Sequence, residues 1–392
     1  MKPAARAPSR IVSLDQFRGY TVAGMFLVNF TGSYAAAPTL FKHHNTFCSY
    51  ADTIMPQFFF AVGLAMRLTF ERRIEREGAT RAYARMVRRI LGLAVIAALV
   101  YLAPQAVKLW ALAAEHGRDA ALAVAVRDWF QTLLHIAVTS LWILPVIRTS
   151  AATRTAYAAA SALLLLVLSH WFYFDWVQTG GIDGGVLGFL AWTTPTIAGT
   201  IACDWIAAAD GPRLGRLFSA GAALMLAGWL LSCGTTLYDI PPGAADPLPE
   251  QDWAADPVVP TASRLRTHSL GWAEPPFVPP PPPERREENF WMMSQRAATL
   301  SYHVFAAGLS LAVYGLFYLA CDVAGWQLGL FRTLGVNALA GYVLHDLIGR
   351  AMDPLLDRDA PPGLLAGYFL AYFALVYAVL RVMEWRRIYL RI

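Results

Sequence analysis

The sequence predicts an all-α polytopic membrane protein, a single bundle of about ten transmembrane helices with both termini cytoplasmic. Three observations carry this. The 392 residues are 57% hydrophobic and only 15% charged, against roughly a quarter charged in soluble domains, and the mean hydropathy is +0.43. The apolar residues come in long blocks, and about 20 of them span a bilayer. The net charge of +5 is carried almost wholly by arginines. These flank the apolar blocks, a distribution that suits the positive-inside bias rather than nucleic-acid binding, and no nucleic-acid motif is present.

Taken in order, residues 1–13 read as a cytoplasmic arm carrying Lys2, Arg6 and Arg10. The first helix, roughly 14–35, has the basic start and apolar run of a signal peptide. Asp15, Arg18 and Asn29 interrupt or follow that run, so it reads as an uncleaved span. Its loop holds His43 and His44. The second helix covers roughly 51–70 and is followed by the basic stretch 71–89, with Arg72, Arg73, Arg76, Arg81, Arg85, Arg88 and Arg89. That periodicity suits an interfacial helix, either resting on anionic lipid or docking a polyanionic ligand. Five further spans are placed at roughly 89–109, 128–147, 154–174, 185–207 and 214–236. Pro56 and Pro195 are expected to kink their helices. Residues 237–297 form a long polar outer loop with the run Pro279 to Pro283, which must be polyproline II. This loop reads as an extended or partly disordered spacer. The last spans lie at roughly 298–321, 331–350 and 363–384, and 385–392 is a basic cytoplasmic tail. No internal repeat stands out. Of the four cysteines, Cys203 and Cys321 read as core residues. Cys48 and Cys233 fall on one side of the membrane, where a disulfide is open to them but not fixed by sequence.

Ionisable groups inside a bilayer are costly and are functional candidates by default. On a helical wheel Asp15, Arg18 and Asn29 fall within about 60° of one another. The plainer alternative is a surface ion pair plus an interhelical amide contact. His43 or His44 beside Asp52 is the better candidate for chemistry, because an imidazole takes a proton near neutral pH and a carboxylate orients it. A metal held by His43, His44 and Asp52 is disfavoured, since adjacent histidines rarely point at one ion. His135, His170, His303 and His345 each read more simply as packing residues. Tyr302, Asn337 and Asp346 either line the same cavity or make interhelical contacts. No nucleophile elbow, P-loop or dinucleotide fingerprint occurs.

Several short motifs keep a common order. They are Ser13-Leu14-Asp15-Gln16-Phe17-Arg18-Gly19, Leu27-Val28-Asn29, Phe41-Lys42-His43, Ala51-Asp52-Thr53-Ile54-Met55-Pro56, Asp183-Gly184-Gly185-Val186-Leu187-Gly188, Ser301-Tyr302, and Gly335-Val336-Asn337-Ala338-Leu339. In this order the chain resembles the heparan-α-glucosaminide N-acetyltransferase family of membrane acyltransferases over most of its membrane core. The resemblance implies transfer of an acetyl group from cytoplasmic acetyl-CoA to an amino sugar or related glycan on the outer face. His43 corresponds to the family's catalytic histidine and Asn29 to its active-site asparagine. The run His44 to Cys48 and the segment Leu133-Leu134-His135-Ile136 depart from the family pattern. On this reading His43, Asn29 and Asp52 are catalytic, Arg18 and Asp15 meet the acetyl-CoA, and no metal is needed. The bilayer, the donor, the acceptor and a second copy of the chain are the partners expected. The setting is a bacterial inner membrane. Two rivals remain: a transporter of a small polar solute along the same helix face, and a non-catalytic scaffold, which the altered run after His43 favours.

Overall fold

The computed structural model describes residues 11–241, 253–280 and 285–390. Lys2, Arg6, Arg10, Arg391 and most of the proline run lie outside the described residues. Among the described residues the chain is helical, with no strand and only two isolated bridges, Asp239 with Arg286 and Trp253 with Glu288.

Among the described residues, six helices are long and apolar enough to cross a membrane: Tyr50–Glu77, Ala79–His116, Ala151–Gly180, Leu214–Tyr238, Leu300–Val323 and Pro362–Trp385. A seventh is reached if Arg118–Trp129 and Thr132–Val146, bent by 77°, form one span. The other expected spans do fall on helices, but on polar or short ones. Helix α1 (Val12–Thr31) carries Asp15, Gln16, Arg18 and Asn29. Helix α9 (Phe189–Ile206) is rich in threonine and buried along most of its length. The span expected at 331–350 is broken at Asn337 into α13 (Gly329–Val336) and α14 (Ala338–Met352).

Burial orders these helices. Helix α2 (Tyr50–Glu77) is 67% buried over its most apolar window, whereas the windows of the 79–116 and 362–385 helices are 17% and 22% buried. The latter turn leucines such as Leu91, Leu99 and Leu370 outward, which suits lipid contact. Within the bundle, backbones meet at glycines. A Cβ on Gly63 would sit 1.9 Å from the Thr196 carbonyl oxygen, and one on Gly199 would sit 2.0 Å from that of Phe60. Helices α2 and α9 therefore touch backbone to backbone, as small residues permit inside membranes. Gly19 and Gly335 do the same for α1 and α13, with 1.8 Å to Phe331 and 2.0 Å to Asp15.

Two expectations are corrected. The stretch 71–89 is not a separate interfacial helix. Helix α2 runs on to Glu77, the chain turns at Gly78 (φ 80°), and α3 (Ala79–Tyr101) begins at once. Only a residue without a Cβ takes that φ freely. The segment after 253 is not a loose spacer either. Val258 and Phe290 pack with Leu165, Phe174, Val177 and Leu190 of the helix ends. Trp272 stacks on Trp229 at 5.2 Å, and Arg286 holds Glu274 (2.7 and 3.0 Å) and Asp239 (2.5 Å). The segment has too few apolar residues for its own core, and the helix ends supply the other half. The disulfide that the sequence left open is not formed: Cys48 and Cys233 are both free and buried, as are Cys203 and Cys321.

Candidate functional site

The site begins at the entry to α2. Ser49 and Asp52 form a capping box, in which the carboxylate at the third helical position returns to the cap and satisfies a donor that the helix cannot. The Ser49 N–H donates to Asp52 Oδ2 at 2.9 Å. The other oxygen, Oδ1, accepts from His43 Nδ1 at 2.8 Å. Asp52 is 1% exposed and the His43 side chain 52% exposed, so a buried carboxylate steers a reachable imidazole. With Nδ1 as donor, Nε2 keeps its lone pair. Burial acts to lower the His43 pKa. The hydrogen bond and charge of Asp52, with the charge of Asp183, outweigh it and raise the pKa above its ordinary value.

His44 takes no part. Its Nε2 lies 2.9 Å from the Thr39 carbonyl and its ring stacks on Phe47 at 4.2 Å, so the two adjacent histidines do not converge on one ion. Behind Asp52, Tyr302 of α12 (Leu300–Tyr318) donates to the Asp52 carbonyl at 2.5 Å and also reaches Gln295 Oε1 at 3.2 Å. Gln295 Nε2 donates to Asp183 Oδ1 at 2.7 Å. Tyr302 is thus a partner of the site.

Asn29 and His43 have different hydrogen-bond partners. The Asn29 amide donates to His345 Nε2 at 3.0 Å, and His345 Nδ1 donates to the Tyr342 carbonyl. Of the remaining histidines, His135 and His303 are buried around Trp192 and His170 is exposed. Asp346 pairs with Arg350 at 2.8 Å, and Asn337 is buried at the break between α13 and α14.

Asp15 and Arg18 line a cavity of about 690 Å³. It extends along α2 from Phe58 to Arg73, about 22 Å at about 1.5 Å per residue. One end is strongly basic, with Arg18, Arg73, Arg89 and Arg332, offset in part by Asp15 and Glu384. Arg89 lies within electrostatic reach of Arg18 and Arg73, and Arg73 Nη1 is buried without a hydrogen-bond partner. Like charges gathered around such a space favour an anion. The middle is apolar, walled by Phe58, Val62, Ile90, Leu93, Ile136 and Leu339. At the other end stand Thr132 and Tyr342. The Thr132 hydroxyl donates to Met55 Sδ at 3.7 Å, and Tyr342 pairs with Tyr101 at 2.6 Å. The sequence-predicted residues therefore fall into three places: Asp15 and Arg18 at the basic end, His43 with Asp52 beyond the opposite end, and Asn29 of α1 against His345, one helical turn past Tyr342 on α14. Arg332, Gln295 and Asp183 were not singled out for roles by sequence. Asp183 carries two sequence signals, the Asp-Gly-Gly of a tight turn and its place in one of the motifs behind the family resemblance.

A scan against protein-family models finds no model that matches the chain, and no curated protein matches it significantly.

Proposed function

We propose that this chain is a multi-pass membrane acyltransferase. It would move an acetyl group from cytoplasmic acetyl-CoA to an amino sugar or related glycan acceptor on the opposite face. The observation that carries this reading is the cavity: four arginines at one end, an apolar middle, and Thr132 and Tyr342 at the other, towards a half-exposed histidine held by a buried carboxylate. A donor with a polyphosphate head and a long arm ending in a thioester has that sequence of chemistry. An inorganic ion or a small solute has no use for it.

The head would lie among Arg18, Arg73, Arg89 and Arg332, whose guanidinium groups suit phosphate oxygens. The acceptor amine would give its proton to His43 Nε2 as its nitrogen attacks the acetyl carbon. The C–S bond then breaks, and the thiolate takes up a proton to leave as the thiol. Transfer runs either directly or through a transient acetyl group on Nε2. Asp52 stabilises the imidazolium that forms. Asn29 spends one amide hydrogen on His345, and its other is the candidate donor to the oxyanion. The topology belongs to the same proposal: ten spans, with α1, α9 and the broken α13–α14 pair inside a ring of apolar helices, and both termini on the basic, cytoplasmic side.

The test is transfer from labelled acetyl-CoA in membranes containing wild type or His43→Ala. Loss of transfer in the variant is expected. Equal transfer by both removes His43 from the mechanism.

A further inference from the structure

The end of the cavity away from the arginines carries a pair of hydroxyls whose hydrogens can be traced. Tyr101 of α3 is 6% exposed, and its phenolic oxygen accepts the Leu133 N–H at 3.3 Å. The same oxygen lies 2.6 Å from the Tyr342 hydroxyl of α14. A buried hydroxyl hydrogen without an acceptor is costly, and the Tyr342 oxygen is the acceptor beside the Tyr101 hydrogen. The bonds therefore run one way, from the Leu133 N–H through Tyr101 to Tyr342, and each polarises the next. Tyr342 lines the cavity on one face of α14 with Ala338 and Leu339, so its own hydrogen is left to point into that space. Two sets of contacts flank it. Thr132, in the same end wall, donates to Met55 Sδ at 3.7 Å. Met55 stands about 4.5 Å along α2 from Asp52, which holds His43 at 2.8 Å. On the other side the Tyr342 ring meets the His345 ring at 5.2 Å, and His345 accepts the Asn29 amide at 3.0 Å.

We infer that Tyr342 is a further catalytic residue, the hydroxyl that donates to the carbonyl oxygen of an acyl thioester whose arm fills the cavity, and that Tyr101 is the positioning residue that aims it. The inference rests on the acyltransferase reading and adds an electrophilic group to it. As the acceptor nitrogen bonds to the acyl carbon, the second electron pair of the C=O bond moves onto oxygen, and the Tyr342 O–H meets the charge that develops there. Tyr342 keeps its proton throughout. When the pair returns to re-form C=O, the C–S bond breaks and the sulfur leaves with its electrons. Such a donor counts for most where water is excluded and the dipole is fixed beforehand. Leu133, Ile136 and Leu339 supply apolar walls, and the bond from Tyr101 supplies the fixed direction. Asn29, tied to the next turn of α14 through His345, would be the second donor to the same oxygen.

The test reads the carbonyl itself. Acetyl-CoA carrying carbon-13 at the acetyl carbonyl is bound to the purified full chain with His43→Ala, which holds the donor without turning it over, and its isotope-shifted infrared band is recorded. A hydrogen bond to the oxygen weakens the C=O bond and lowers the band. Adding Tyr342→Phe should move the band to higher frequency, and adding Tyr101→Phe should move it the same way by less. With His43 intact, Tyr342→Phe should lower kcat by about 10²–10³-fold, the loss expected for one oxyanion donor, while the KM for acetyl-CoA stays near wild type. A tyrosine that only packed α14 against α3 would leave the band where it was. An unmoved band in whichever of the two variants folds, judged by a single monodisperse peak in detergent, overturns the inference and leaves the acyltransferase reading standing. If the chain retains no labelled donor and wild type transfers no acetyl group, that reading fails and the inference falls with it.

Discussion

At His43, stability and activity depend on pH in opposite senses. The folded-state pKa is raised, so the pairing with Asp52 contributes fully below the unfolded value near 6.5 and is lost as pH rises through the folded one. His43→Ala should therefore melt below wild type at pH 6 and beside it near pH 9, in detergent scans at both. Base catalysis needs the neutral ring, so transfer should climb with pH through that same raised midpoint. Asp52→Asn should lower the midpoint and cut the rate at least about 10²-fold. A pH–rate profile measures both. At the far end of the cavity, Arg73→Ala should raise the donor KM by about tenfold or more, since a charge-assisted hydrogen bond contributes about 1.5–3 kcal/mol. Steady-state kinetics with varied acetyl-CoA checks this, with kcat near wild type. The His43–Asp52 pair was legible in sequence because its members are close in the chain and Asp52 sits where a helix must begin. The contacts around it were not. Gln295 meets Asp183 across 112 residues and Asn29 meets His345 across 316, and neither separation leaves any periodic trace.

Helices in this bundle are fastened in two ways, and each can be broken separately. Near the basic end of α2, Arg67 reaches Asp204 of α9 at 2.9 Å and the Ile147 carbonyl at 2.7 Å. Asp204 also holds Arg154 of α7 (Ala151–Leu168), whose side chain is 1% exposed and reaches Thr200 at 2.6 Å. Asp204→Ala would strand a buried guanidinium, which costs about 3–5 kcal/mol. Arg154→Met with Asp204→Leu should recover most of that loss, and thermal melts of the single and double variants test the comparison. The second fastening is close backbone approach. Gly199→Val would drive a side chain into the Phe60 carbonyl, 2.0 Å from the ideal Cβ. Helix positions were readable from apolar blocks, but which helices lie inside was not. Hydropathy favours the peripheral helices, whose leucines face outward. The inner helices α1, α9 and α13–α14 carry threonines, glycines and charges because their surroundings are protein. The outer segment after 253 was misread for a related reason. Composition reports whether a stretch can bury itself, not whether neighbouring helix ends can bury it.

For the molecule as a whole, the mechanism needs the basic end of the cavity and His43 on opposite faces of the membrane. Antiparallel packing of α1 and α2 puts them at opposite ends of these helices, with Arg18 and Arg73 at one end and Asn29 and Asp52 towards the other. If the basic end is cytoplasmic, the packed stretches 253–280 and 285–299 lie on the opposite face, and so do His43 and the 181–188 turn. Single cysteines decide this with little background, because the four native ones are buried. Cysteine in place of Trp272, 76% exposed, should react with a membrane-impermeant maleimide in intact cells. Cysteine in place of Arg85, exposed near the Gly78 turn, or of Arg387, just past α15 (Pro362–Trp385), should react only after the membrane is opened. Labelling of position 272 together with either arginine position in intact cells would put the arginines and His43 on one face. A donor held at the basic end would then have no membrane to cross, and transmembrane transfer would lose its geometric basis.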